Sequence, residues 1–161
     1  MDNEQRRLTR LERAAAYALL GWAAEVAFTA VQEVMGRGTR SWRLRGHSYL
    51  WMAPIYGLSA VLFEPAHAAM RGQPFTRRAV VYACGITAVE YTTGMAIRRG
   101  VGAVPWDYTG RGRFVLPGGA VRLDYLPLWA AAGLVLERLD DTLRALTLGS
   151  SPDADHDARA R

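Results

Sequence analysis

Apolar positions run almost unbroken through three stretches of the chain: residues 14–34 (AAAYALLGWAAEVAFTAVQEV), 49–70 (YLWMAPIYGLSAVLFEPAHAAM) and 79–97 (AVVYACGITAVEYTTGMAI). They are 21, 22 and 19 residues long, and a helix needs about 20 mainly apolar residues to cross a bilayer's hydrocarbon core. Each therefore reads as a membrane span, interrupted only by Glu25 and Glu33, by Glu64, and by Glu90. A fourth run, 126–136 (LPLWAAAGLVL), stays uncharged for 11 positions before Glu137, Arg138, Asp140, Asp141 and Arg144 follow. Leu136, Leu139, Leu143 and Leu146 continue a helical stripe beyond it. The pattern predicts a fourth span over about 123–144, with its last turns lying along the interface. A soluble helical bundle would also bury such runs. Three near-span-length runs with aromatic ends and Arg-rich connectors favour the membrane. The expected fold is all-α: a polytopic four-helix transmembrane bundle forming one domain over 1–149, followed by a disordered polar tail over 150–161 (SSPDADHDARAR).

Composition alone would hide this. Half the residues are hydrophobic, yet mean hydropathy is −0.04, because apolar runs alternate with Arg-rich segments. All 20 basic residues are arginine, against 15 acids, for a net charge of +5. With the N-terminus inside, 11 arginines fall on inner segments and nine on outer connectors, a small excess that points to both termini being cytoplasmic. Arg6, Arg7, Arg10 and Arg13 resemble the charged start of a signal peptide, but the run behind them is long and carries Glu25, so it reads as a retained helix. The connector 98–125 holds six glycines and two prolines, which disfavours a helix. Its Trp106, Tyr108 and Phe114, with Tyr125 at its end, suit the headgroup level. An ordered Gly/Pro/aromatic segment before the last helix is expected.

The candidate chemistry lies in the intramembrane acids, which are costly in lipid and so face the bundle or water. Glu25 shares a helix face with Gly21, Thr29 and Gln32, and Glu90 with Thr87 and Gly94. One reading is a polar cavity whose carboxylates bind a cation, relay protons or do acid–base chemistry. The other is a packing role, with each acid protonated or paired with Arg45, Arg98 or Arg99. Glu64, beside Pro65, reads as reaching the interface, and Glu137, among charges, as a solvated helix end. Cys84 excludes an internal disulfide and a Cys-only metal cage, and reads as a buried inert thiol. His47, His67 and His156 form no metal-ligand spacing, and no phosphate-loop or dinucleotide motif is present, so no metal or cofactor is expected. The arginines flank spans, which favours anionic lipid headgroups over nucleic acid as partners.

The motifs GWAAE (21–25), RLRGHSYLWMAPIYG (43–57), VEYTTG (89–94), PWDYTG (105–110) and RLDYLPLW (122–129), in this order, resemble the transmembrane protein 229 family and its bacterial relatives, the CmpB-like membrane proteins labelled ABC transporter type IV. The resemblance covers about residues 17–139 and implies a small four-helix integral protein of the bacterial plasma membrane. The family's recurring positions fall on Gly21, Trp22, Glu25, Arg45, Gly46, Pro54, Tyr56, Gly57, Glu90, Tyr91, Gly94, Trp106, Asp107, Tyr108 and Trp129. From these we take Glu25, Arg45, Tyr56, Glu90, Tyr91, Trp106, Asp107 and Tyr108 as the candidate polar site. Arg45 is expected to be at least partly buried, within salt-bridge reach of Asp107, Glu90 or Glu25; the alternative for Asp107 is to cap a turn. The functional expectation is a permease-like or transporter-accessory protein handling a lipid or small molecule. The alternatives are an integral membrane enzyme acting on a lipid or isoprenoid through Glu/Asp acid–base residues, and a structural subunit. A membrane-protein partner or a second copy of the chain fits any of these.

Overall fold

The computed structural model describes residues 6–36, 44–112 and 114–148. Helix α1 (Arg10–Gly36) starts at a reciprocal cap. The Thr9 N–H donates to the Glu12 carboxylate at 2.8 Å, and the Thr9 hydroxyl accepts the Glu12 N–H at 3.3 Å, satisfying donors that a helix start leaves open. Arg6 adds two bonds to the same carboxylate, at 2.8 and 2.6 Å. At 27 residues α1 is about 40 Å long. The second apolar run forms α2 (Met52–Gly57) and α3 (Ser59–Met70), which meet at Leu58. Pro54 and Gly57 weaken the helix there, and Pro65 removes one further backbone donor inside α3. After a short turn, α4 (Phe75–Val101) ends at Gly102, whose φ of 84° lets its N–H reach the Arg98 carbonyl. A 3-10 turn (Leu123–Tyr125) leads into α5 (Leu126–Ala145). Strands β1 (Arg6–Arg7) and β2 (Thr147–Leu148) pair antiparallel, Arg6 opposite Leu148, a small addition to an otherwise helical chain.

Cross-links fix the helix directions. Arg13 near the start of α1 bonds Glu64 near the end of α3, while Glu25 further along α1 bonds Ser48, just before α2. Arg78 meets Glu137, and Glu90 meets Trp129, so α4 and α5 are also antiparallel. The connector is ordered, as expected. Tyr108 N–H bonds the Gly119 carbonyl at 2.8 Å, Val115 bridges Arg122, and Ala120 and Val121 are fully buried.

One buried apolar cluster joins Tyr17, Ala60 and Leu143, with Leu8, Ala14, Ala16, Leu136 and Leu139 packed around it; Met52, Phe63, Tyr82, Val104 and Val121 are among the other buried apolar residues. Close approach depends on absent side chains. A Cβ at Gly21 would overlap the Tyr56 ring, and one at Gly133 the Tyr82 ring. Outside, the helices are apolar. Leu19, Leu20, Val31, Val61, Leu62, Val80 and Val135 are among the large side chains left exposed.

Two expectations change. Cys84 is exposed, because it points away from the α5-facing side of α4 that carries Tyr82 and Ala83. The end of α5 packs inward, with Glu137, Asp140 and Leu143 buried, because ion pairs receive its charges. Two helices, α1 and α4, are long and apolar enough to cross a membrane. The second run is divided at Leu58, and charges crowd the second half of α5.

Gly133→Ala should lower the melting temperature in detergent by forcing Tyr82 off α5, at a cost of about 1–3 kcal/mol. Gly85→Ala, with nothing within 4 Å of the added carbon, should leave it unchanged or raise it.

Candidate functional site

Two polar clusters lie at opposite ends of the helices, roughly 18 Å apart as measured along α1 from Arg13 to Glu25. At the first, the buried Glu64 carboxylate accepts two bonds from Arg13, at 2.7 and 2.8 Å, and one from Arg144, at 3.0 Å. Arg144 also donates to Asp140 at 2.7 Å. Asp140, with no exposed surface, accepts from the Tyr17 hydroxyl at 3.0 Å and lies 2.7 Å from His67 Nδ1. Beside it Glu137 accepts from Arg78 and from the Tyr82 hydroxyl, and Asp141 from Arg71. Ligand atoms of His67, Asp140 and Asp141 come within 4.8 Å of one another. The two carboxylates already hold Arg144, Tyr17 and Arg71, so the cluster is an ion-paired clamp joining α1, α3 and α5. Glu64 and Glu137 thus depart from the interface and solvent positions expected of them, because arginines on other helices reach them. Sequence reading missed Arg13, Tyr17, His67, Asp140 and Arg144. The signal was their spacing: Arg13/Tyr17, Glu64/His67 and Asp140/Arg144 each share a helix face.

The second cluster gathers half of the expected site: Glu25, Tyr56, Glu90 and Tyr108. Glu25 accepts from the Ser48 hydroxyl at 2.7 Å, and the Tyr56 hydroxyl faces it. Glu90 accepts from the Tyr108 hydroxyl at 2.9 Å and the Trp129 indole at 3.1 Å. The Tyr56 ring packs against Gly21, one turn before Glu25 on α1. Tyr125 packs edge-on against Tyr108, Trp129 and Phe28, at centroid distances of 5.6, 5.9 and 6.4 Å. The Arg122 guanidinium lies 4.3 Å above the Tyr125 ring. Gln32 donates to the Tyr125 hydroxyl at 2.8 Å. An open groove of about 370 Å³, lined by Gln32, Met35, Tyr108, Arg111, Arg122 and Tyr125, leads out from this cluster.

Arg45 does not join it. It is exposed and forms no ion pair among the described residues. The physical reason is that neutral donors satisfy the carboxylates Arg45 was expected to meet: Ser48 at Glu25, and Tyr108 and Trp129 at Glu90. Asp107 caps a turn, accepting the Thr109 N–H at 2.8 Å. Bonds from the Thr109 hydroxyl and N–H hold its carboxyl below the usual carboxylate range. Trp106 turns inward to donate to the Ala120 carbonyl at 2.9 Å, and Tyr91 lies on the exposed side of α4. Burial, and then the neighbouring Glu90, push the Tyr108 phenol up, so it stays a donor.

A family described as Putative ABC-transporter type IV matches residues 15–150. The chain belongs to this family. The matched region holds the ordered connector and both clusters apart from Arg13. No solved structure matches the chain.

Two outcomes test these clusters. Glu64→Ala should destabilise the protein by about 3–5 kcal/mol, because it leaves Arg13 without a counter-charge; thermal unfolding in detergent reads this. Asp107 has a depressed pKa, so its contribution is present above the ordinary value near 3.8 and is lost as pH falls through its lower folded value. Amide exchange at Thr109 should therefore be slower in the wild type than in Asp107→Asn at neutral pH, with the gap closing in strong acid.

Proposed function

We propose that the chain is a small four-span integral membrane protein holding a lipid or small molecule at one end, as a permease-like or transporter-accessory subunit. The observation that carries this is the mismatch between composition and burial. Within the most apolar stretches of α1 and α4 only 11% and 17% of residues are buried, so their apolar surface needs lipid around it. The antiparallel order of the helices supports four crossings, with α2 and α3 acting as one kinked span. The ion-paired clamp closes one end, and the groove between α1 and the connector opens the other. A one-ended site fits a holding or presenting subunit better than a continuous pore. The family description supports a link to transport.

A second reading, an enzyme acting on a lipid or isoprenoid, draws on Glu25 and Glu90 around Tyr56. Two carboxylates beside a phenol suit proton transfer. Under that reading Glu90→Gln folds and inserts normally but abolishes turnover.

Cysteine labelling in a Cys84→Ala background tests the arrangement. A water-soluble maleimide should modify Arg45→Cys, Arg111→Cys and Met35→Cys from one side of the membrane. Pro74→Cys should react only from the other side. Ala60→Cys, fully buried in the core, should react from neither. Labelling of Arg45→Cys and Arg111→Cys from opposite sides would rule out the four-span order, and labelling of Ala60→Cys would rule out a one-ended site.

A further inference from the structure

The groove's donors define a ligand class. Arg122 is held by Asp124 through two bonds, at 3.1 and 2.5 Å, and its Nη1 donates to the Tyr125 hydroxyl at 3.3 Å. Its charge is therefore met and its position fixed. Arg111, on the same wall, is exposed and forms no ion pair among the described residues. The acid that acts on it at longer range, Asp107, is shared with Arg98 and bonded to Thr109. The Tyr125 hydroxyl accepts from both Gln32 and Arg122. An oxygen that accepts twice still has its own proton to donate, and among the described residues that proton has no acceptor. The groove thus offers a free guanidinium fork and a pre-oriented phenol donor, with close to one uncompensated positive charge. Met35, 80% exposed, supplies an apolar rim beside them.

We infer that this groove binds a phosphate group carrying one negative charge, as in a phosphodiester, through Arg111 and Tyr125. The inference rests on the one-ended site proposed above and names its ligand class. Guanidinium forks match phosphate oxygens in pairs, and an acceptor-only anion needs converging donors. A phosphodiester has one charge to place against Arg111. Asp124 already balances Arg122, so a doubly charged phosphomonoester would leave one charge unmet. The phosphate can come from a membrane lipid headgroup or from a soluble phosphate compound, and the same residues would read either.

Native mass spectrometry of the full chain in detergent tests this, with dihexanoyl phosphatidylglycerol, phosphate-free dihexanoylglycerol and the soluble phosphodiester dimethyl phosphate as probes. Phosphatidylglycerol should bind saturably and dihexanoylglycerol should not. Arg111→Gln should weaken phosphatidylglycerol binding roughly tenfold, the scale of one charge-assisted contact. Tyr125→Phe, which keeps the ring, should weaken it several-fold. Melting temperatures measured alongside identify any variant whose fold is lost. Arg77→Gln, at the far end of α4, should bind like the wild type. Displacement of the lipid by millimolar dimethyl phosphate supports the inference with a soluble source, and lipid binding that dimethyl phosphate cannot displace supports it with a headgroup source. Equal binding of the phosphate-free lipid, or binding unchanged in both folded Arg111→Gln and Tyr125→Phe, overturns it. A failure of the span order would appear in cysteine labelling and not in this titration, so the two outcomes stay separable.

Discussion

Glu64 holds one end of this protein together. Its carboxylate lies inside a ring of cations, with Arg13 from α1 and Arg144 from α5 both within 3.0 Å. A single buried charge among apolar helices is costly, and a buried pair recovers that cost only with good geometry and further hydrogen bonds. Here the geometry is two-pronged from Arg13, and Asp140 provides the second anion that Arg144 needs. Tyr17 and His67 then satisfy the oxygens of Asp140 that remain. Each acid has more than one partner, and Arg144 reaches both, so Glu64 and Asp140 belong to one connected network. The clamp also borders the apolar cluster of Tyr17, Ala60 and Leu143. Tyr17 and Leu143, two of its buried residues, are held in place by neighbours in the clamp.

The clamp makes the two ends of the molecule different. At its own end every buried acid has a charged partner, and α1, α3 and α5 are tied together. At the far end the acids meet neutral donors: serine, tyrosine and tryptophan. Neutral donors orient the carboxylates of Glu25 and Glu90 without bringing an opposite charge beside them, as Arg13 does for Glu64. The arginines near that end, Arg111 and Arg122, line the groove wall instead of pairing with Glu25 or Glu90. The acids thus lie inside and the arginines at the mouth, which is the arrangement that the proposed phosphate groove rests on.

The sequence made the helices and the ordered connector legible, because apolar runs and glycine-proline clusters act locally. It made Glu25 and Glu90 legible as inward acids, since each shares a helix face with small residues, while Tyr56 and Tyr108 were legible only through the family resemblance. The clamp was not legible as a unit. Its members lie as far apart as Tyr17 and Asp140, and nothing local distinguishes an acid that meets an arginine on another helix from one that meets water. Glu64 and Glu137 were misplaced for that reason. Arg45 was misplaced for the opposite one. Its position beside a motif invited a salt bridge, but short-reach donors such as Ser48 had already satisfied the nearby acid.

The complete absence of lysine fits the same logic. The ion pairs that matter here are forked: Arg6 on Glu12, Arg13 on Glu64, Arg122 on Asp124, and Arg144 bridging Glu64 and Asp140. An ammonium is a compact point charge that tends to lose its proton when buried, whereas a guanidinium stays charged and keeps donors for two or more acceptors. In Arg144 one side chain joins two acids, and in Arg122 one side chain meets an acid, a phenol oxygen and an aromatic face together. Lysine in either place would give up the second contact, and with it the link between the elements that contact joins. The arginine-only composition is thus tied to how the helix ends and the connector are held, beyond any contribution it makes to net charge.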